Sequence, residues 1–177
     1  MKPSGKVILS TNKTGHIKIG FGEVGIFDQH RSRTIWQVTG TVEFKGKASI
    51  GHGSKISVSG ILVVGCGFSM TAESSIVAQK EISFGDNVLV SWDSLIMDTD
   101  FHNIFDKNVI HINYPMPIFI GANVWIGCRT LILKGSQIAD GVVVAAASTV
   151  TKSIKEKNTI IAGSPAFVVK ENISWNP

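Results

Sequence analysis

The sequence predicts an all-β chain in which short parallel strands wind into a stacked coil. Three observations predict it: β-branched residues crowd the chain, aliphatic residues recur at a fixed step of six, and small residues stand where that step must turn a corner. Ile and Val number 23 and 18 against 6 Leu. Such side chains are stiff in a helix and pack well on a pleated surface, so strand is the default. Ile120, Ile126, Ile132, Ile138, Val144 and Val150 follow one another at intervals of six. On a helix that step turns successive residues through about 600° and spreads them over every face. On a strand an even step keeps them on one face, and a break every six residues folds the chain into a coil.

Residues 1–37 are read as N-terminal strands ahead of the periodic part. The coil proper spans 38–154. Its six-step runs through Val38, Phe44, Ile50, Ile56, Leu62 and Phe68, slips once between 68 and 78, and resumes at Phe84, Val90 and Ile96. Four residues after each later aliphatic stand Val124, Thr130, Ser136, Val142 and Ser148, small or β-branched and also predicted to point inward. Gly51, Gly85, Gly121 and Gly127 directly follow an apolar residue of the six-step, where a corner favours a residue without a side chain. Residues 103–117 carry no hexad, hold Pro115 and Pro117, and rejoin the coil at Ile120 in the phase of Ile96. They read as one extended loop, and 155–177 as a short C-terminal extension. Three strands to a triangular turn of about 18 residues give about six turns, roughly 4.8 Å apart.

A chain of 177 residues is one domain's worth, and 44% hydrophobic with 17% charged is too apolar for a disordered segment. The longest apolar stretch, Val142 to Ala147, is six residues where a membrane span needs about 20, so a cytoplasmic chain without a span is expected. Cys66 and Cys128 lie 62 positions apart and form no Cys-x-x-Cys pair, which removes a zinc knuckle or redox motif. The net charge of +4, with Lys152, Lys155, Lys157 and Lys170 near the end, suits an anionic ligand. Nucleic acid is not expected, because only three arginines occur.

The hexads, the run Ile120-Gly-Ala-Asn-Val-Trp-Ile-Gly127, Val150-Thr-Lys152 and Ala162-Gly-Ser-Pro-Ala166 together resemble the hexapeptide-repeat acyltransferases, and among them the galactoside, maltose and polysaccharide O-acetyltransferase branch. The resemblance implies a left-handed parallel β-helix, a homotrimer, and transfer of an acetyl group from acetyl-CoA to a sugar or glycan precursor. Handedness comes from the resemblance alone, since parallel crossovers in general are right-handed in about 98% of cases.

Acyl transfer to an alcohol needs a base for the hydroxyl proton, and imidazole, with an ordinary pKa of about 6.5, suits that work near neutral pH. His102 stands at the sixth step after Ile96, where an aliphatic would continue the core, and the resemblance places the catalytic histidine there. His111, inside the loop, is the competing candidate. On a continued strand Asp98 and Asp100 would share the face of His102, to orient its ring or bind the acceptor, or else cap the turn into the loop. The amides of Gly127 and Cys128 are candidate oxyanion donors. For coenzyme A the resemblance implies Trp125, Gly127, Cys128, Ala146, Thr151 and Lys152. Phe167 stands where relatives carry a cation, which shifts the phosphate contact to Lys170 or Lys155. For the acceptor, Ser69 and Thr71 replace an asparagine common in the branch, and Trp92 and Phe101 are candidate platforms for a sugar ring. No metal is expected, because the close histidine pair of the zinc enzymes of similar shape is missing. The competing functions are N-acetylation of a nucleotide-linked amino sugar and a non-catalytic β-solenoid that only binds.

Overall fold

The computed structural model describes residues 5–22, 24–28 and 30–176. They wind into a left-handed parallel β-helix of three sheets. The first turn is β1 (Lys6–Leu9), β2 (Ile17–Ile19) and β3 (Ile35–Val38), the second β4 (Thr41–Phe44), β5 (Ala48–Ile50) and β6 (Lys55–Val58). The third is β7 (Ile61–Val64), β8 (Phe68–Met70) and β9 (Ser75–Ala78), the fourth β10 (Glu81–Phe84), β11 (Leu89–Val90) and β12 (Leu95–Met97). After the loop come β13 (Ile118–Ile120), β14 (Trp125–Ile126) and β15 (Leu131–Leu133), then β16 (Gln137–Ile138), β17 (Val143–Val144) and β18 (Thr149–Val150). The seventh level is β19 (Ser153–Ile154) and β20 (Ile160–Gly163), against which β21 (Ala166–Lys170) folds back antiparallel. Sheet A stacks the first strand of each turn, sheet B the second and sheet C the third. The strands of 6–38 are therefore already a turn of the coil, which begins one turn ahead of the 38–154 span that the hexads mark.

The hexad residues are the core. Phe44, Val64, Phe84, Ile120, Ile138 and Ile154 stand in register down sheet A, and all are buried. Ile50, Met70, Val90, Ile126, Val144 and Ile161 do the same in sheet B, and Ile56, Ile76, Ile96, Ile132 and Val150 in sheet C. The second series also points inward, for a reason its chemistry supplies. A coil must turn corners, and at the B-to-C and C-to-A corners carbonyls face the interior. Ser74 Oγ donates to Ser91 O at 2.9 Å, Ser94 Oγ to Gly127 O at 3.1 Å, Thr130 Oγ1 to Gly127 O at 2.7 Å and Ser136 Oγ to Val150 O at 3.0 Å. These buried hydroxyls are satisfied by the corners they fill.

The register does not slip once between 68 and 78, as the hexads alone suggest; it slips in every early turn at one corner. From Phe44 to Val64 to Phe84 each turn takes 20 residues, whereas from Ile120 to Ile138 it takes 18. The two extra residues sit between sheets C and A: Thr39-Gly40, Ser59-Gly60 and Gln79-Lys80. There Ser59 N and Gly60 N both donate to Ala78 O, at 2.9 and 3.0 Å, as Thr39 N and Gly40 N do to Val58 O one turn earlier. A Cβ on Gly40 would stand 2.1 Å from Gly60 O, and one on Gly60 2.4 Å from Lys80 O, so those positions must be glycine. Lys80 escapes the constraint because the chain leaves the coil one turn later instead of passing beneath it.

Candidate functional site

Three edges run along the prism, at the corners A-to-B, B-to-C and C-to-A, and the sequence-predicted residues divide among them. The loop leaves and rejoins at the C-to-A edge. Its first residue, Asp98, is fully buried, and its carboxylate accepts three backbone N–H groups: Gln79 at 2.7 Å, Lys80 at 2.8 Å and Glu81 at 2.7 Å. In earlier turns a carbonyl of the next turn serves the corresponding amides of the wide corner, and here, with that turn diverted, the side chain takes over. This corrects the expectation that Asp98 binds the acceptor: it is sealed and spent on structure.

His102 is likewise not on a strand. β12 ends at Met97, Phe101 takes a left-handed φ of 60°, and His102 is exposed beyond it, so the aspartates do not share a strand face with its ring. The surrounding loop is nevertheless ordered by hydrogen bonds. Asn113 Nδ2 donates to Asp100 Oδ2 at 2.8 Å and to His102 O at 2.9 Å, and Asn113 Oδ1 accepts Ile104 N at 2.6 Å and lies 3.0 Å from His111 Nε2. Lys134 Nζ binds Asp100 and donates to Asn113 O at 3.0 Å. The bonds from Lys134 and then Asn113 hold the Asp100 carboxyl below its ordinary pKa. Lys134 and Asn113 carry no motif; their role follows from the loop folding back beside the next turn's corner. His111 also packs against Tyr114 in a tilted arrangement, with ring centroids 4.0 Å apart. Thr151 and Lys152 lie exposed on this same C-to-A edge two turns later.

The other predicted residues lie elsewhere. Ser69 and Trp125 face outward on sheet B, and Trp125 Nε1 donates to Ser91 Oγ at 3.1 Å. Thr71, Trp92, Gly127, Cys128 and Ala146 follow one another down the B-to-C edge, where Arg129 N bonds Trp92 O and Ala147 N bonds Cys128 O. Gly127 N is not an oxyanion donor, because it is bonded to Val144 O at 2.8 Å. Among the described residues the Cys128 amide has no acceptor, which leaves it as the candidate. Lys170 ends β21 and is exposed, and both cysteines are free thiols. One chain therefore does not gather these residues into a single site: His102, Thr151 and Lys152 occupy one edge, and Thr71, Trp92, Cys128 and Ala146 another.

Sequence reading missed two features. Residues 20–22, 24–28 and 30–34 belong to a second excursion, at the B-to-C corner of the first turn, with Ser32 bonded to Glu73 and Phe27 edge-on to His52. The C-terminal segment also returns along the A-to-B edge. Trp175 Nε1 donates to Asn123 O at 2.7 Å, its ring lies 5.9 Å from that of Trp125, and the segment walls a groove of about 550 Å³ with Asn87, Asn123 and Asn158. Neither stretch is periodic, so nothing in the spacing marks it. Among the described residues no three His, Cys, Asp or Glu side chains gather as metal ligands, and no helix is long and apolar enough to cross a membrane.

No family model matches the chain. It is similar to the galactoside O-acetyltransferase of Escherichia coli K12, 36% identical over 110 residues that cover 61% of this chain and 53% of that protein. Among solved structures it is similar to the polysialic acid O-acetyltransferase OatWY, with a TM-score of 0.63 at 26% identity, covering 97% of this chain and 90% of the other. It is also similar to a galactoside acetyltransferase in complex with coenzyme A, with a TM-score of 0.54 at 29% identity, covering 78% and 63%. The chain spans about half the length of the curated relatives it matches. Relatives by sequence and neighbours by fold thus agree with the resemblance to hexapeptide-repeat acetyltransferases of sugars and polysaccharides.

Proposed function

We propose that this chain, similar in sequence and fold to hexapeptide-repeat sugar O-acetyltransferases, moves an acetyl group from acetyl-CoA to a hydroxyl of a sugar or glycan precursor. The observation that carries the reading is the loop at the C-to-A edge. It presents an exposed imidazole, His102, on backbone that Asn113 and the Asp100–Lys134 pair hold in place. His102 takes the proton of the acceptor hydroxyl as its oxygen attacks the thioester carbonyl. The Cys128 amide donates to the oxyanion, and the imidazolium returns the proton to the departing thiolate. Lys152 and Lys170 meet phosphates as point charges, with Trp125, Gly127, Ala146 and Thr151 lining the pantetheine path. Ser69, Thr71 and Trp92 face the acceptor.

The working unit is a homotrimer. The base and the B-to-C residues sit on different edges of one prism, and a threefold ring brings the edge of one copy against the other edge of its neighbour. The loop supports this. Phe101, Ile104, Phe105, Val109, Ile110, Ile112, Tyr114 and Met116 are all exposed, an apolar surface that a second copy would cover.

A second reading makes His111 the base. Its Nε2 is bonded to Asn113 Oδ1 at 3.0 Å, an orienting partner of the kind general bases use, which leaves Nδ1 for the substrate. Thiol release with acetyl-CoA and a panel of sugars, nucleotide-linked amino sugars included, tests both. His102→Ala should lower turnover about a hundredfold to ten-thousandfold with coenzyme A binding unchanged. Wild-type turnover in that variant together with loss in His111→Ala moves the assignment to His111. Exclusive acetylation of amines replaces the O-acetyl reading, and no release with any acceptor removes the enzyme.

A further inference from the structure

His52 is 5% exposed, and neither of its ring nitrogens has a hydrogen-bond partner; the buried hydroxyl of Thr71 has none either. A neutral imidazole always carries one N–H and one lone pair, so both go unmet here, and folded proteins rarely leave three polar atoms in this state. All three belong to residues that line one cavity of about 160 Å³ at the B-to-C edge, beneath the 20–34 excursion. Its other walls are Phe21, Val24, Ser49, Ser69 and Met70. Apart from His52, no described residue that lines it carries an ionisable side chain. The neighbouring Glu73 carboxylate is occupied by Ser32 and by Lys55 at 2.9 Å, and against the opposing effect of its burial those bonds hold its pKa below the ordinary value.

From this arrangement we infer that the cavity is a lidded subsite for one uncharged, hydroxyl-bearing sugar ring, read by His52 and Thr71. The inference rests on the proposed transfer to a glycan and extends it to a specificity-determining residue, His52. Imidazole and hydroxyl each offer a donor and an acceptor, which matches a pair of sugar hydroxyls. Among the described lining residues no carboxylate, lysine or arginine offers an ionic ligand a countercharge. The volume is below the roughly 300 Å³ at which pockets for larger ligands begin, and suits a single ring. Position agrees as well: Thr71 stands two turns, about 10 Å, along the same edge from Cys128, so a ring seated here belongs to the acceptor and not to the thioester. The lid is the segment carrying Phe21 and Phe27. Phe27 closes on His52 with ring centroids 6.4 Å apart, and Phe21 overhangs the mouth 66% exposed. The three polar atoms are sealed while this segment is down, so ring entry requires it to lift.

The test uses the full chain labelled with ¹⁵N-histidine, titrated with maltose, methyl β-galactoside and a sialic acid trimer while the His52 ring nitrogens are followed by NMR. Acetylation of the same sugars is measured in parallel. Expected is a saturable shift of both His52 nitrogens with at least one uncharged sugar, and the affinity of that sugar, measured by isothermal titration calorimetry, should fall at least tenfold in His52→Phe, which keeps the ring shape, and in the isosteric Thr71→Val. Coenzyme A affinity should stay unchanged in both variants. The inference is overturned if no uncharged sugar shifts His52, if only the sialic acid trimer does, or if both variants bind as the wild type does. An acceptor acetylated equally well by wild type and His52→Phe removes the subsite and leaves the acetyltransferase reading standing. A His52 shift without acetylation of any sugar does the reverse.

Discussion

Asp98→Ala tests the account of how the coil ends its wide turns and throws out the loop. The substitution removes a fully buried carboxylate and leaves the Gln79, Lys80 and Glu81 amides, now held at 2.7–2.8 Å, without acceptors. Hydrogen bonds to a charged group contribute about 1.5–3 kcal/mol each. Because residues 79 and 80 are exposed, water recovers part of this, and the expected loss is about 3–5 kcal/mol. For a chain of this size that is a fall in melting temperature of roughly 6–20 °C. Asp86→Ala is the internal control: its carboxylate accepts one backbone amide, Cys66 at 2.7 Å, on an exposed corner, and its loss should cost about 1 kcal/mol. Thermal unfolding of the three proteins, with hydrogen exchange at residues 79–81, gives the answer. If Asp98→Ala melts within 2 °C of the Asp86 variant, or if exchange at 79–81 is unchanged, the carboxylate is not what closes the wide corner and the argument fails.

Three further outcomes are expected. Gly127→Ala places a Cβ 2.7 Å from Ala146 N and 2.8 Å from Val144 O, so the corner must open; stability should fall by about 1–3 kcal/mol and acetyl-CoA affinity with it, and calorimetry showing neither would contradict this packing. Asp100 has a folded pKa below its unfolded value, so the stability it lends the loop is present above the ordinary aspartate pKa near 3.8 and is lost as pH falls through the lower folded value. Proteolysis of the 98–117 segment should therefore rise in acid, and Lys134→Met should show the raised susceptibility already at neutral pH; equal cleavage of both proteins at both pH values would exclude the anchor. Ser94→Ala removes a hydroxyl that donates to Gly127 O at 3.1 Å and accepts from Thr130 N at 3.2 Å in the interior, at a cost of about 1–3 kcal/mol, readable as a shift of the denaturation midpoint.

Periodicity made the coil legible because the interior of a narrow prism admits only one or two side chains per face per turn. Ile120 through Val150, and Thr130, Ser136 and Ser148 between them, have no alternative position once the chain is a stack. Local composition therefore settled the strands, the inward set, the place of the long loop and the glycine corners. It also gave the motif residues at the two later edges, and with them the resemblance.

What only the tertiary structure decided concerns contacts between turns. Asp98 looks like a site carboxylate in sequence, and it becomes a structural cap because the amides of residues 79–81, one turn earlier in the stack, lie against it at the corner. The recurring slip at Gly40 and Gly60 could not be told from a single break, since inward positions are even-spaced on either side of it. His102 left the core face because β12 stops at Met97, and its loop is held by Asn113 and Lys134, residues 11 and 32 positions downstream of it that no spacing rule connects to it. The buried pair of His52 and Thr71 is invisible to any one-dimensional pattern, because its lid folds from an aperiodic segment of the first turn onto corners of the second and third. A repeat specifies its own stacking through local side-chain alternation, whereas where an excursion lands depends on distant backbone that sequence proximity does not encode.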